Sequence, residues 1–192
     1  MPKAAAGNKL PLLWFDLPDL ATLAAGNVNA LIFDFVARQK LHSTSMNWFI
    51  VEQFPVVPTA AYTRPFGPKT AGEIVGDHVL RLTYTAHDMA PFARDMGYVN
   101  EAGDVLPPII WNEAERRHWR ARLDALYFQL YGVTDEGDVR YILSTFPIVE
   151  RKDREAHGCY LTAELILWYM RALDAGDLSD APEEVAIRSA ID

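Results

Sequence analysis

A single cysteine, Cys159, stands in a chain of 192 residues. One thiol excludes an intramolecular disulfide and any zinc site built mainly from thiolates, and it fits a reducing cytosol. Long apolar runs are missing too. None approaches the roughly 20 residues that cross a bilayer, and the opening MPKAAAGNKLPLLWF lacks the continuous apolar stretch of a secretory signal. The expectation is a cytoplasmic protein with no membrane partner. Nor is positive charge in excess: 18 Lys and Arg stand against 26 Asp and Glu, a net charge of −8. Attraction to nucleic acid scales with the phosphates that Lys and Arg neutralise, so bulk charge is excluded as a driving force. The deficit is local, because residues 159–192 hold −5 of it while residues 1–58 are neutral.

What is present is globular: half the residues are apolar, 11% aromatic and 23% charged. The length allows one sizeable domain or two small ones. Leu17 to Ala25 reads as a short helix with Pro18 in its first turn and Gly26-Asn27 as its break. Val28, Leu31, Ile32, Phe35 and Val36 then recur at helical spacing and place Arg38 and Lys40 at a helix C-terminus, which suits cations. The polar LHSTSMN reads as a turn and WFIVEQFPVVP as an extended run, with a short buried helix as the alternative.

Helical spacing returns at Ile74, Val75, Val79 and Leu82, and Pro91 can open another helix. VNEAGDVLPP reads as a loop. The clearest helix runs from about Asn112 to Tyr131, with Asn112 as N-cap and Glu113 and Glu115 in the first turn. Its buried stripe is Trp119, Leu123, Leu126, Tyr127 and Leu130, and Gly132 stops it. Another begins near Thr134 or Asp135 and carries Val139, Ile142, Leu143 and Phe146 before Pro147. A last one spans roughly Tyr160 to Leu173 and ends at Gly176. The fold class expected is mainly α, a helical module with a short extended segment near residues 48–57. Its organisation is a helix-turn-extended segment over 1–58, a linker over 59–72, a helical domain over 73–176 and an acidic tail over 177–192.

No complete catalytic constellation is visible. The phosphate loop G-x-x-x-x-G-K-[ST] and the dinucleotide fingerprint G-x-G-x-x-G are absent. So are the Gly-rich turn expected for S-adenosylmethionine and the Asn/Asp-Pro-Pro-Tyr/Phe tetrapeptide of amino-group methylation, since Pro107-Pro108 is flanked by Leu106 and Ile109. Glu115 and His118 form an E-x-x-H pair, half of a carboxylate di-metal site, without a second copy. His78 and His87 lack a recurring ligand spacing. Cys159 beside His157 is better read as a packed thiol than as an activated nucleophile. Glu150-Arg151-Lys152, with Asp138 upstream, has the residue types of a metal-dependent nuclease, although Asp138 is also explained by the dipole of the helix it begins. The assignment is no catalytic, cofactor-binding or metal residues in this chain. Arg116, Arg117, Arg120 and Arg122 crowd the polar flank of the long helix, either as a solvated face pairing with nearby acids or as phosphate contacts.

The segments NALIFDFVARQK…MNWFIVEQFPVVP, LRLTYTAHDMAPFARDMGY, RARLDALYFQLYGV, VRYILSTFPIVERKD and YLTAELIL, in that order over residues 20–173, resemble the C-terminal region of large restriction-modification DNA adenine methyltransferases. That family includes single-chain type II enzymes and methyltransferases of BREX-like phage-defence systems. The resemblance implies a target-recognition and helical extension whose catalytic domain, with its S-adenosylmethionine, lies elsewhere. Its implied partners are double-stranded DNA, in the context of a larger enzyme, and a methyltransferase catalytic domain or subunit.

Under that resemblance, Arg38, Gln39, Lys40, His42, Ser43, Thr44, Ser45 and Asn47 are the candidate DNA contacts, being residue types that reach phosphates and base edges. Arg116, Arg117 and Arg120 are secondary phosphate candidates. Many relatives carry a Gly-Gly-Thr-His-like turn after Arg-Gln-Lys, where this chain has Leu-His-Ser-Thr-Ser. A protein-interaction scaffold docking a methyltransferase or phage-defence subunit is the alternative, and a small nuclease a third.

Overall fold

The computed structural model describes residues 13–41 and 48–182. In chain order they form α1 (Pro18–Asn29), α2 (Leu31–Lys40), α3 (Trp48–Val51), a 3-10 turn (Thr59–Thr63), the strands β1 (Pro65–Phe66) and β2 (Lys69–Thr70), and α4 (Ala71–Thr83). A 3-10 turn (His87–Met89), α5 (Ala90–Asp95), α6 (Glu113–Leu130), α7 (Glu136–Ser144), α8 (Pro147–His157) and α9 (Leu161–Asp174) follow. The fold is mainly α, as the periodicity requires.

Most helix starts are local chemistry. Thr70 and Glu73 form a reciprocal capping box at the head of α4. Asn112 Oδ1 accepts from the N–H groups of Ala114 and Glu115 at α6, and Asp135 Oδ1 from Gly137 and Asp138 at α7. Pro18, Pro91 and Pro147 open α1, α5 and α8, where their fixed φ is already helical. The helix over 147–157 is absent from the apolar pattern because its sequence is largely charged and it buries no residue fully.

Three expectations need revision. α1 runs through Gly26-Asn27 instead of stopping there. Gly26 serves a helix crossing: a Cβ at this position would lie 2.6 Å from Tyr127 Oη and 2.9 Å from Val75 Cγ1. The chain breaks only at Ala30, whose extended backbone turns α2 by 69° from α1.

Secondly, the segment near 48–57 opens with the helical turn α3, and residues 55–58 form no regular element. Among the described residues no strand lies beside it to take its backbone groups. Side chains do so instead: Asn27 Oδ1 accepts from the Val57 N–H at 2.8 Å, and the Tyr131 hydroxyl donates to the Pro55 carbonyl at 2.7 Å. Thirdly, α6 has no one-sided stripe. Residues 121–129 are buried all round, while Trp119 and Leu130 are only half-buried. Such a helix is the centre of the fold. It packs mainly on α9, with α4 and α2 on its other sides.

The segment 59–72 contributes to the same core through Tyr62 and Phe66. A Cβ on Gly67, at φ +61°, would overlap the backbone of Gly176, so the β1–β2 hairpin seats against the chain after α9. One apolar cluster reaches from Ala30 to Ala181, and a smaller one joins Leu80, Tyr84 and Ala93. Residues 177–182 are held down by Arg122, which donates to the Ser179 carbonyl at 2.6 Å and to Asp180 at 2.9 Å. Among the described residues no single helix is long and apolar enough to cross a membrane.

Candidate functional site: a cationic groove on the central helix

The exposed first half of α6 forms one wall of a groove of about 790 Å³. The α1–α2 junction supplies Gly26, Ala30 and Leu31, α4 supplies Val79 and Leu82, and α8 supplies Ile148, Val149, Lys152 and Asp153. The groove gathers Arg116, Arg117, Arg120 and Lys152 from two helices, so three of the sequence candidates share a surface with a fourth cation.

The four are not equivalent. Arg120 pairs with Glu113 across two turns of α6 and is half-exposed. Arg116 is 8% exposed, donates from Nη2 to the Leu82 carbonyl at 3.1 Å, and lies 3.7 Å from the centre of the Trp111 ring. Burial and the nearby Arg120 work against its charge, while the ring face favours it. Its Nε is buried without a hydrogen-bond partner. Arg117 and Lys152 have no ion-pair partner among the described residues. These two are the groove's uncompensated charges.

The acids on the same walls are already engaged. Asp124 Oδ1 accepts from the Leu31 N–H at 2.7 Å and caps α2, whose own N-cap is Ala30. Asp153 Oδ2 accepts from the Thr162 N–H at 2.6 Å and caps α9, which Tyr160 cannot do. Burial pushes the Asp124 carboxyl up to about 7, against the Leu31 hydrogen bond and the Arg120 charge. Neither cap has a local signal in sequence, since each carboxylate reaches a helix other than its own.

The first-rank candidates lie elsewhere. Leu31 lines the groove, whereas Arg38, Gln39 and Lys40 close the other end of α2, roughly 10 Å along its axis. Arg38 forms a bidentate pair with Asp34 and covers the Phe146 ring at 4.7 Å. Gln39 Nε2 reaches only the Phe35 carbonyl, at 3.5 Å, and Lys40 is exposed. His42, Ser43, Thr44, Ser45 and Asn47 lie outside the described residues. Arg38 and Lys40 are therefore not brought together with Arg116, Arg117 and Arg120.

The remaining candidates separate. Glu150 pairs with Arg154, while Lys152, two residues on, faces the groove, because residues two apart on a helix point to different sides. Asp138 sits in the first turn of α7. His118 Nδ1 lies 2.8 Å from the Tyr169 hydroxyl, which accepts from the Ala181 N–H, and Glu115 is exposed. His78 is a core residue, with the Asp77 carboxylate 3.4 Å from Nδ1 and no aligned hydrogen bond on either nitrogen. Cys159 is buried ahead of α9, and His87 is exposed. Among the described residues no group of three or more His, Cys, Asp or Glu is placed to hold a metal.

No family model matches the sequence, and no curated protein or solved structure matches it at a significant level.

Proposed function

We propose that this chain is a DNA-positioning module of a restriction-modification-type DNA adenine methyltransferase. It is a cytoplasmic helical extension that helps hold duplex DNA while a separate catalytic domain or subunit, carrying S-adenosylmethionine, transfers the methyl group. The sequence resemblance supplies the family. The observation that carries the DNA contact is that Arg117 and Lys152, from α6 and α8, line one groove with no carboxylate partner among the described residues. Two unpaired cations fixed on rigid helices are suited to contact phosphates and set a register. A net charge of −8 means that most phosphate neutralisation belongs to the catalytic partner.

A salt series tests this directly. Duplex affinity of the assembled enzyme, plotted as log K against log salt, should lose up to about two in slope on Arg117→Ala with Lys152→Ala. An unchanged slope in the folded double variant removes the groove from the DNA interface.

A second reading, the interaction scaffold, is favoured by exposed apolar side chains outside the groove. Leu13, Trp14, Phe15 and Leu17 are all exposed in succession, and so are Trp48 and Phe49. Leu13, Trp14 and Phe15 are consecutive, and apolar surface of that kind is what a partner protein covers. Co-purification of a methyltransferase subunit that survives nuclease treatment, and is lost on Trp14→Ser with Phe49→Ser, is the expected result under that reading. Co-purification unchanged in that variant counts against it.

A further inference from the structure

The groove is more than a row of charges, because most of its lining is apolar. Ala30, Leu31, Leu82, Ile148 and Val149 are among its lining residues, and Ile148 is exposed. A duplex backbone offers nothing that uses such a lining. At the Glu113–Arg116 end stands Trp111, 61% exposed, with Arg116 against its ring and its indole N–H donating to Glu113 at 3.2 Å. Arg116 itself is more than nine-tenths buried and keeps an unpartnered Nε in that corner.

The volume, about 790 Å³, falls in the range of small-molecule sites. Such sites are mostly apolar with a few convergent polar groups, and here the polar groups left without ion-pair partners among the described residues are Arg117 and Lys152. A ligand that matches has an anionic end and a flat, mostly apolar ring with hydrogen-bonding edges.

From this we infer that the α6–α8 groove binds a nucleoside phosphate unit, its base against the exposed Trp111 ring at the Glu113–Arg116 end and its phosphate held by Arg117 and Lys152. The inference rests on the DNA-positioning reading only in choosing a nucleic-acid component as the anion. The same chemistry has two sources, a free nucleotide or an unpaired nucleotide of a strand. Base stacking on aromatic side chains supports either. In the strand case the groove holds a base displaced from the duplex beside the point of modification.

The test uses the full chain and titration calorimetry with dATP, inorganic phosphate, a 12-nucleotide single strand and the matching duplex. Saturable binding of dATP or of the single strand is expected, with inorganic phosphate at least tenfold weaker. Arg117→Ala with Lys152→Ala should weaken that binding about tenfold or more while the thermal unfolding curve stays in place. Trp111→Ala should weaken the nucleotide and leave phosphate unaffected. dATP binding identifies a free nucleotide as the source, and binding of the single strand alone identifies an unpaired nucleotide. Equal affinity for dATP and phosphate overturns the inference, as does nucleotide binding that survives the folded double variant, or no binding of dATP and single strand. Duplex binding that persists when nucleotide binding is absent leaves DNA positioning standing and sinks the nucleotide site alone.

Discussion

The Asp124 carboxylate, in the middle of the central helix, accepts a 2.7 Å hydrogen bond from the backbone N–H of Leu31 at the start of α2. One side chain thereby caps a helix that its own sequence leaves uncapped, and it does so from a buried site.

That arrangement has a pH signature. A carboxyl held near 7 in the fold and 3.8 outside it gives stability that is full below 3.8 and lost as pH rises through 7. Ionisation then opposes the fold by up to about 4 kcal/mol above pH 8. Asp124→Asn keeps an acceptor for Leu31 and cannot ionise, so it should be more stable than wild type by up to about 4 kcal/mol at pH 8 and by less than half of that at pH 5. Asp124→Leu strands the Leu31 N–H and should cost about 1–3 kcal/mol at pH 5. Urea denaturation at the two pH values separates these outcomes.

His78 gives the opposite slope in the same window. Burial lowers its pKa below 6.5, partly countered by Asp77 and reinforced by Arg122 and Arg81. Its contribution is therefore present above 6.5 and lost as pH falls towards the lowered value. The stability of wild type minus that of His78→Leu should decrease from pH 7 to pH 5, whereas wild type minus Asp124→Asn should increase. A flat difference for His78 shows that the ring is not excluded from protonation.

Two helical glycines should respond with opposite signs. Gly26→Ala drives a methyl into Tyr127 and Val75 and should destabilise by about 1–3 kcal/mol. Gly76→Ala, within α4, meets only the flexible Met96 Cε at 3.4 Å and should gain up to about 1 kcal/mol in helix propensity. Thermal melts of the two variants check both.

At the far end of α2, Arg38 already has Asp34 as its counterion, so under the proposed DNA-positioning role Arg38→Ala should leave the salt slope of duplex affinity nearly unchanged. Lys40→Ala removes an exposed cation at the same helix end and should lower the slope by up to about one if it contacts phosphate. A larger loss for Arg38 than for Lys40 indicates that the Asp34 pair opens on DNA.

Much of this fold is readable from short-range chemistry. Asn112 and Asp135 announce α6 and α7 because a cap and the N–H groups it binds are neighbours in sequence, and Gly132 at φ +78° marks where α6 ends. Periodicity places Ile74, Val75 and Val79 on the buried side of α4 for the same reason. Gly26-Asn27 misleads because the glycine's purpose is a neighbour 101 positions away, Tyr127. α8 leaves no apolar trace because its sequence is largely charged.

The sequence alone determined the mainly α class, most helix starts and the crowding of arginines on α6, since each depends on residues within a turn or two of one another. Tertiary structure decided which of those charges are free. Arg120 spends its charge on Glu113, Arg116 lies buried under Trp111, and Arg117 lines the same groove as Lys152 of α8, neither with an ion-pair partner among the described residues. Caps delivered by Asp124 and Asp153 from other helices, and the groove between them, exist only once α1, α2, α4 and α8 have packed around α6. Packing sets distances between residues remote in the chain, and charge compensation depends on those distances.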